Sequence, residues 1–201
     1  GIAGESKGIL FSEAAFGPVE QATTAFGQGI SVTPIQQVQA VAAAINGGNL
    51  FKPYIVKEIV DANGKILRSF EPELQRCVIS EETSKEVRMA LESVVANGSG
   101  RNAFTDGLRV GGKTGTAQKV VDGSYKDGEY IVSFVGFAPA DDPELLVYVA
   151  IDSPCNSVQF GGVIAAPIAG RIIEEISPLM DVTRRENQLE KEYRWGDALT
   201  H

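Results

Sequence analysis

Three apolar segments in close succession constrain the fold most. Residues 109–121, Ile131–Ala138 and Leu145–Asp152 each read as a strand, bounded by clusters of turn-forming residues. The Gly- and Asp-rich stretch Asp122 to Glu129 joins the first two, and Asp141-Asp142-Pro143 joins the last two. A parallel connection needs a crossover of a dozen or more residues, usually a helix. These links are too short for that, so the spacing predicts an antiparallel sheet.

Helical signals stand on both sides of that sheet in the chain. Thr33 can cap a helix, Pro34 fits its first position, and Gln36 completes a capping box. Ile35, Val38, Ala42 and Ile45 follow at helical spacing until Asn46-Gly47-Gly48 ends the run. A second helix is expected from Ser80, with Glu81 and Glu82 at its positive end, Val87, Leu91 and Val94 on one stripe, and Gly98 closing it. Gly161 to Ser177 predicts a third. Between the first two helices, residues 54–60 and 65–70 read as a hairpin turning at Asn63-Gly64. Residues 1–30 read as loop with short turns, and the charged tail from Asp181 as a solvated end. The expected class is α+β, an antiparallel sheet flanked by helices, with residues 1–180 as one domain portion and 181–201 as tail.

Composition excludes several functions. A chain of 201 residues with 43% hydrophobic and 22% charged residues can bury a core. A net charge of -8 argues against a nucleic-acid partner, while leaving a local basic spot around Lys113 and Lys119. Cys77 and Cys155 give one bridge at most and no metal spacing; buried thiols are the expectation. No apolar run reaches the roughly 18 residues of a membrane span. The chain opens on Gly1-Ile2-Ala3-Gly4 without methionine, and is expected to be a piece of something longer.

The chemistry concentrates in Arg109-Val110-Gly111-Gly112-Lys113-Thr114-Gly115-Thr116-Ala117-Gln118. Gly107-x-x-x-x-Gly112-Lys113-Thr114 satisfies the phosphate-loop pattern, but that loop needs a strand before it and a helix after its lysine. Here loop-forming residues precede Gly107, and Gly115-Thr116 interrupts any helix that would follow. An extended reading fits better. On a strand, Lys113 and Gly115 face one side, and Thr114 and Thr116 the other. The bare Gly115 would let a peptide-like ligand lie against the strand edge, with Lys113 supplying charge and the hydroxyls meeting a carboxylate. The competing reading is a plain edge strand whose lysine guards against aggregation.

Four ordered stretches bring a family into view. Gly112-Lys113-Thr114-Gly115-Thr116-Ala117-Gln118 resembles the Lys-Thr-Gly motif of penicillin-binding proteins. Phe26-Gly27-Gln28-Gly29-Ile30-Ser31-Val32-Thr33-Pro34 resembles the segment opening a helix behind their active site. Ser133-Phe134-Val135-Gly136-Phe137-Ala138-Pro139 resembles the strand after the motif, and Phe160-Gly161-Gly162-Val163-Ile164-Ala165-Ala166-Pro167 the start of the last helix. The likeness runs over roughly residues 4–177 and is greatest to class B transpeptidases of the division or sporulation type.

The resemblance implies a serine β-lactamase-like sheet with a helix on each face. It implies an acyl-enzyme made with a D-Ala-D-Ala stem peptide, or with a β-lactam. Lys113 would activate the nucleophile's surroundings and hold substrate. Thr114 and Thr116 hydroxyls, beside Gly115, would meet the substrate carboxylate. The Thr116 backbone N–H would be an oxyanion donor, a contact worth about 2.7–4 kcal/mol in the transition state. No cofactor or metal is implied. The parent would be anchored to the membrane by an upstream segment, with this part outside the cytoplasm.

The family's nucleophile lies in Ser-x-x-Lys, and Ser-x-Asn lines its cleft. No lysine here has a serine three residues before it, and no serine has an asparagine two residues later. A hydroxyl attacks poorly without an adjacent base, and His201 is the only histidine. The expectation is therefore half an active site, inactive alone, with both missing motifs upstream. A non-catalytic binding or scaffolding module, a phosphate-loop NTPase and a β-lactamase relative are the alternatives.

Overall fold

The computed structural model describes residues 5–121, 124–155 and 158–185. The turn expected at Asp122-Gly123 and the tail beyond Arg185 lie outside them. Contacts divide the described residues into two compact units. One takes in residues up to 43 and 49–78, the other 44–48 and the described residues from Ile79.

In the first unit, the stretch read as loop holds helix α1 (Pro18–Thr24). Pro18 starts it, and the Glu20 carboxylate reaches back to accept from the Gly17 N–H at 3.1 Å, a signal that the absence of apolar periodicity conceals. Helix α2 (Pro34–Ile45) begins as expected. Thr33 Oγ1 accepts from the Gln36 N–H at 3.3 Å, and Gln36 Oε1 accepts from the Thr33 N–H at 2.9 Å. Strand β1 (Asn49–Phe51) pairs antiparallel with β4 (Leu74–Cys77), a pairing too short to show a period in the sequence. The expected hairpin is present as β2 (Glu58–Val60) and β3 (Ile66–Ser69). Its first strand is shorter than the sequence suggests. In the turn, Asp61 Oδ1 accepts from the N–H groups of Asn63 and Lys65, both at 2.9 Å, and Gly64 takes φ +80°.

The second unit carries the core. Helix α3 (Glu81–Asn97) starts where Ser80 Oγ accepts from the Thr83 N–H at 3.1 Å. On this helix, Ser84 Oγ donates to the Ala44 carbonyl at 2.8 Å and accepts from the Gly47 N–H at 3.0 Å, while Arg88 Nη1 donates to the Ile45 carbonyl at 2.9 Å. Those bonds satisfy groups left open where α2 ends. Strands β5 (Gly111–Val121), β6 (Ser124–Ala138) and β7 (Leu145–Asp152) form the antiparallel sheet, ordered β5-β6-β7. Most of the link expected between the first two is itself strand: β6 begins at Ser124 and pairs back along β5 from Val121↔Ser124 to Gly111↔Phe137. The first strand starts two residues late because Arg109 takes φ +49°.

Helix α4 (Gly161–Ile176) packs on β6 and β7, and α3 packs on β5. One apolar cluster joins them: Val95 from α3, Val110, Phe134 and Ala138 from the sheet region, and Ala165, Ala169 and Ile173 from α4. Phe134 is fully buried at its centre. Val182, expected in the solvated tail, closes the cluster, and Arg184 hydrogen-bonds the Asp106 carbonyl and pairs with Glu174. Cys77 and Cys155, expected inside, are both exposed.

Candidate active site

Strand β5 has β6 on one edge and, among the described residues, no strand on the other. Such an edge offers alternate N–H and C=O groups to an extended ligand. Thr114 and Thr116, two residues apart, present their backbone groups at the same edge. Lys113 Nζ donates to the Thr114 carbonyl at 2.8 Å, and Lys113 is exposed. These lysine and threonine positions lie on a strand, not at a helix start. Lys113 therefore cannot present phosphates to a helix N-terminus, and the phosphate-loop alternative falls.

The side chains divide as strand geometry requires. Gly115 sits opposite Ser133 on β6, and a Cβ at Gly115 would come within 2.5 Å of Ser133 Oγ. That hydroxyl can rotate away, so β6 crowds position 115 only mildly. On the other side, Thr114 Oγ1 and Ser99 Oγ share a hydrogen bond of 3.1 Å, and Thr116 Oγ1 accepts from the Gly161 N–H at 3.3 Å. The start of α4 fits there only as glycine: a Cβ on Gly161 would meet the Ser133 and Gly115 carbonyls at 2.2 and 2.5 Å.

Ser99, Thr114, Thr116 and Gly161 wall a cleft of about 280 Å³, lined also by Arg101, Asn102, Phe160, Gly162 and Val163. The structure brings Thr114 and Thr116 together there, with Gly115 between them on the strand. Lys113, on the opposite face of β5, is not among the lining residues. Sequence reasoning missed Ser99, Arg101 and Asn102, because Gly98 to Asn102 looks only like the loop that ends α3. A polar triplet just upstream of a strand rich in hydroxyls was the available signal.

The expected basic spot does not hold together. Lys119 Nζ bonds Asp152 at 2.8 Å and Ser153 Oγ at 3.2 Å, with Glu129 at 3.8 Å. The hydrogen bond to Asp152 raises the Lys119 pKa against a smaller desolvation effect, and the same bond, then that from Ser153, holds the Asp152 carboxyl low. Lys119 ties the far end of β5 to β7, away from the cleft. No group of three or more His, Cys, Asp or Glu side chains suited to a metal occurs among the described residues. No helix among them is long and apolar enough to cross a membrane.

This arrangement has counterparts of known kind. The penicillin binding protein transpeptidase domain matches residues 1–174. Stage V sporulation protein D of Bacillus subtilis is 60% identical over 99% of this chain and 31% of its own length. A probable peptidoglycan D,D-transpeptidase, PenA, of Neisseria meningitidis is 38% identical over 83% of this chain and 27% of its own length. Among solved structures, the transpeptidase domain of Burkholderia pseudomallei penicillin-binding protein 3 superposes with a TM-score of 0.76 at 34% identity, covering 92% of this chain and 54% of that one. Penicillin-binding protein 3 of Mycobacterium tuberculosis, solved with ampicillin, gives 0.81 at 28%, covering 93% and 43%. A strand edge carrying Lys-Thr-Gly-Thr, backed by helix α4, accords with these relatives, and the chain belongs to the penicillin-binding protein transpeptidase family. It spans between a quarter and a third of the length of these curated relatives.

Proposed function

We propose that this segment forms one wall of the active site of a peptidoglycan D,D-transpeptidase. The observation that carries the reading is the edge of β5 that no described strand occupies, with Thr114 and Thr116 opening on a cleft large enough for a carboxylate terminus. A D-Ala-D-Ala stem peptide would lie along that edge as an added strand. The Thr116 N–H would hold the oxyanion and the two hydroxyls would receive the terminal carboxylate. Lys113, projecting from the other face, would set the electrostatics around the nucleophile.

The nucleophilic serine and its lysine would come from a Ser-x-x-Lys outside this sequence. That serine's Oγ bonds to the penultimate D-Ala carbonyl carbon, and terminal D-alanine leaves with the amide nitrogen. An amine of a neighbouring stem then displaces the serine, making the cross-link. A β-lactam would enter the same acylation, its ring amide opening onto the serine. Peptidoglycan lies outside the cytoplasm, so the whole protein would be anchored with this wall on the outer side.

Intact mass of the full-length protein before and after benzylpenicillin tests the reading. The expected outcome is one added penicilloyl mass. A folded full-length protein that gains none would leave the β5 groove as a non-catalytic peptide-binding module.

A further inference from the structure

Arg101 is the only ionisable residue among those lining the cleft. It opens the single helical turn Arg101–Ala103 that follows α3. Both flanks of that turn are pinned. Gly100 packs where a Cβ would stand 3.2 Å from Phe134 and Val95, and Ala103 is fully buried. Asn102 Nδ2 donates to the Gly162 carbonyl at 2.7 Å, which ties the turn to the start of α4. Arg101 itself is exposed, and no carboxylate among the described residues pairs with it. A long cation is thus held at its backbone and left open at its guanidinium.

The rest of the lining is complementary to an anion. Ser99, Thr114 and Thr116 offer hydroxyls, Phe160 gives α4 no side-chain cap, and no acidic side chain is present. Hydroxyls can satisfy a carboxylate's lone pairs, but they bring no charge to balance it. Lys113 is on the opposite face of β5, with its ammonium on the Thr114 carbonyl. Among the described residues, the cation lining this cleft is Arg101.

We propose that Arg101 is a specificity-determining residue that pairs with the C-terminal carboxylate of the donor stem peptide, and with the equivalent carboxylate of a β-lactam. The assignment rests on the transpeptidase reading above. A guanidinium suits this task, since its planar fork meets both carboxylate oxygens at once. It divides the labour on β5: Lys113 serves the nucleophile's side, and Arg101 with Thr114 and Thr116 reads the substrate terminus.

The test compares full-length wild type, Arg101→Gln and Arg101→Lys. Acylation rate constants are measured with benzylpenicillin and with its methyl ester, whose carboxylate is neutral. Arg101→Gln is expected to slow benzylpenicillin by about tenfold, the scale of one charge-assisted hydrogen bond, and to leave the slow ester rate unchanged. Arg101→Lys should fall between, and salt should slow wild type more than Arg101→Gln. A wild-type rate for Arg101→Gln with benzylpenicillin overturns the proposal. So does an equal loss with both compounds, which marks a fold defect. A wild type that reacts with neither overturns the transpeptidase reading and this assignment together. Loss confined to the carboxylate compound supports both.

Discussion

Two glycines on β5 show how much a single Cβ decides. At Gly112 an added Cβ would fall 2.4 Å from the Phe134 ring and 2.6 Å from the Val135 carbonyl. Phe134 is fully buried and the carbonyl is backbone, so neither yields cheaply. Gly112→Ala is expected to cost about 1–3 kcal/mol, the range of core overpacking, read as a lower urea midpoint with unchanged slope. At Gly115 the obstacle is only the Ser133 hydroxyl, which rotates. Gly115→Ala should cost less than Gly112→Ala in the same titration. If the two are equal, the Phe134 packing argument is wrong.

The elements of the sheet are fastened by charge where they begin and end. Arg109 Nε and Nη2 donate to the two oxygens of Glu92 on α3, both at 2.8 Å, and Arg109 Nη1 stands 3.0 Å from Asp141 in the β6–β7 link. Arg185 meets the same Asp141 carboxylate from the chain's last described residue. Partial burial pushes the Asp141 carboxyl up, but the Arg185 hydrogen bond and the Arg109 charge outweigh it, and the net direction is down. A carboxyl whose folded pKa lies below its unfolded value of about 3.9 stabilises the fold above that pH and loses the contribution as pH falls through the folded value. Denaturation midpoints should therefore drop as pH falls below about 4, and drop less steeply in Asp141→Asn. Parallel acid limbs for the two proteins would show that Asp141 is not a source of the acid sensitivity.

Across the whole molecule, burial is uneven. In the first unit Ala43 alone is buried among the described residues, while Ile9, Phe26 and Ile55 are 71%, 71% and 81% exposed. The second unit holds the entire cluster around Phe134. A unit without a core opens at low free energy, whereas amides in a packed sheet exchange only through global unfolding. Hydrogen exchange on this chain should show amides of β1 to β4 exchanging several orders of magnitude faster than those of β6. Equal protection in both would contradict the division.

How much of this was legible depends on the range of the interaction. Helix α2 was readable because its cap is local: Thr33, Pro34 and Gln36 lie within four residues. The same holds for Ser80 and for the Asp61–Gly64 turn. Short links made the antiparallel sheet legible, and alternation along β5 separated Lys113 from Thr114 and Thr116. The β1–β4 pairing was not legible, since three- and four-residue strands carry no measurable period. Nor was the exposure of Cys77 and Cys155, which depends on what packs nearby.

The sequence by itself determined the family, the order of the three long helices and of the three sheet strands, and the strand that presents the Lys-Thr-Gly motif, because these reside in contiguous residues and local backbone preference. Only the tertiary structure decided that Ser99, Arg101 and Asn102 share a cleft with Thr114, Thr116 and the first turn of α4. The Asn102–Gly162 bond alone joins residues sixty apart in the chain. Their meeting depends on α3 and α4 packing over one buried phenylalanine, which no local pattern encodes.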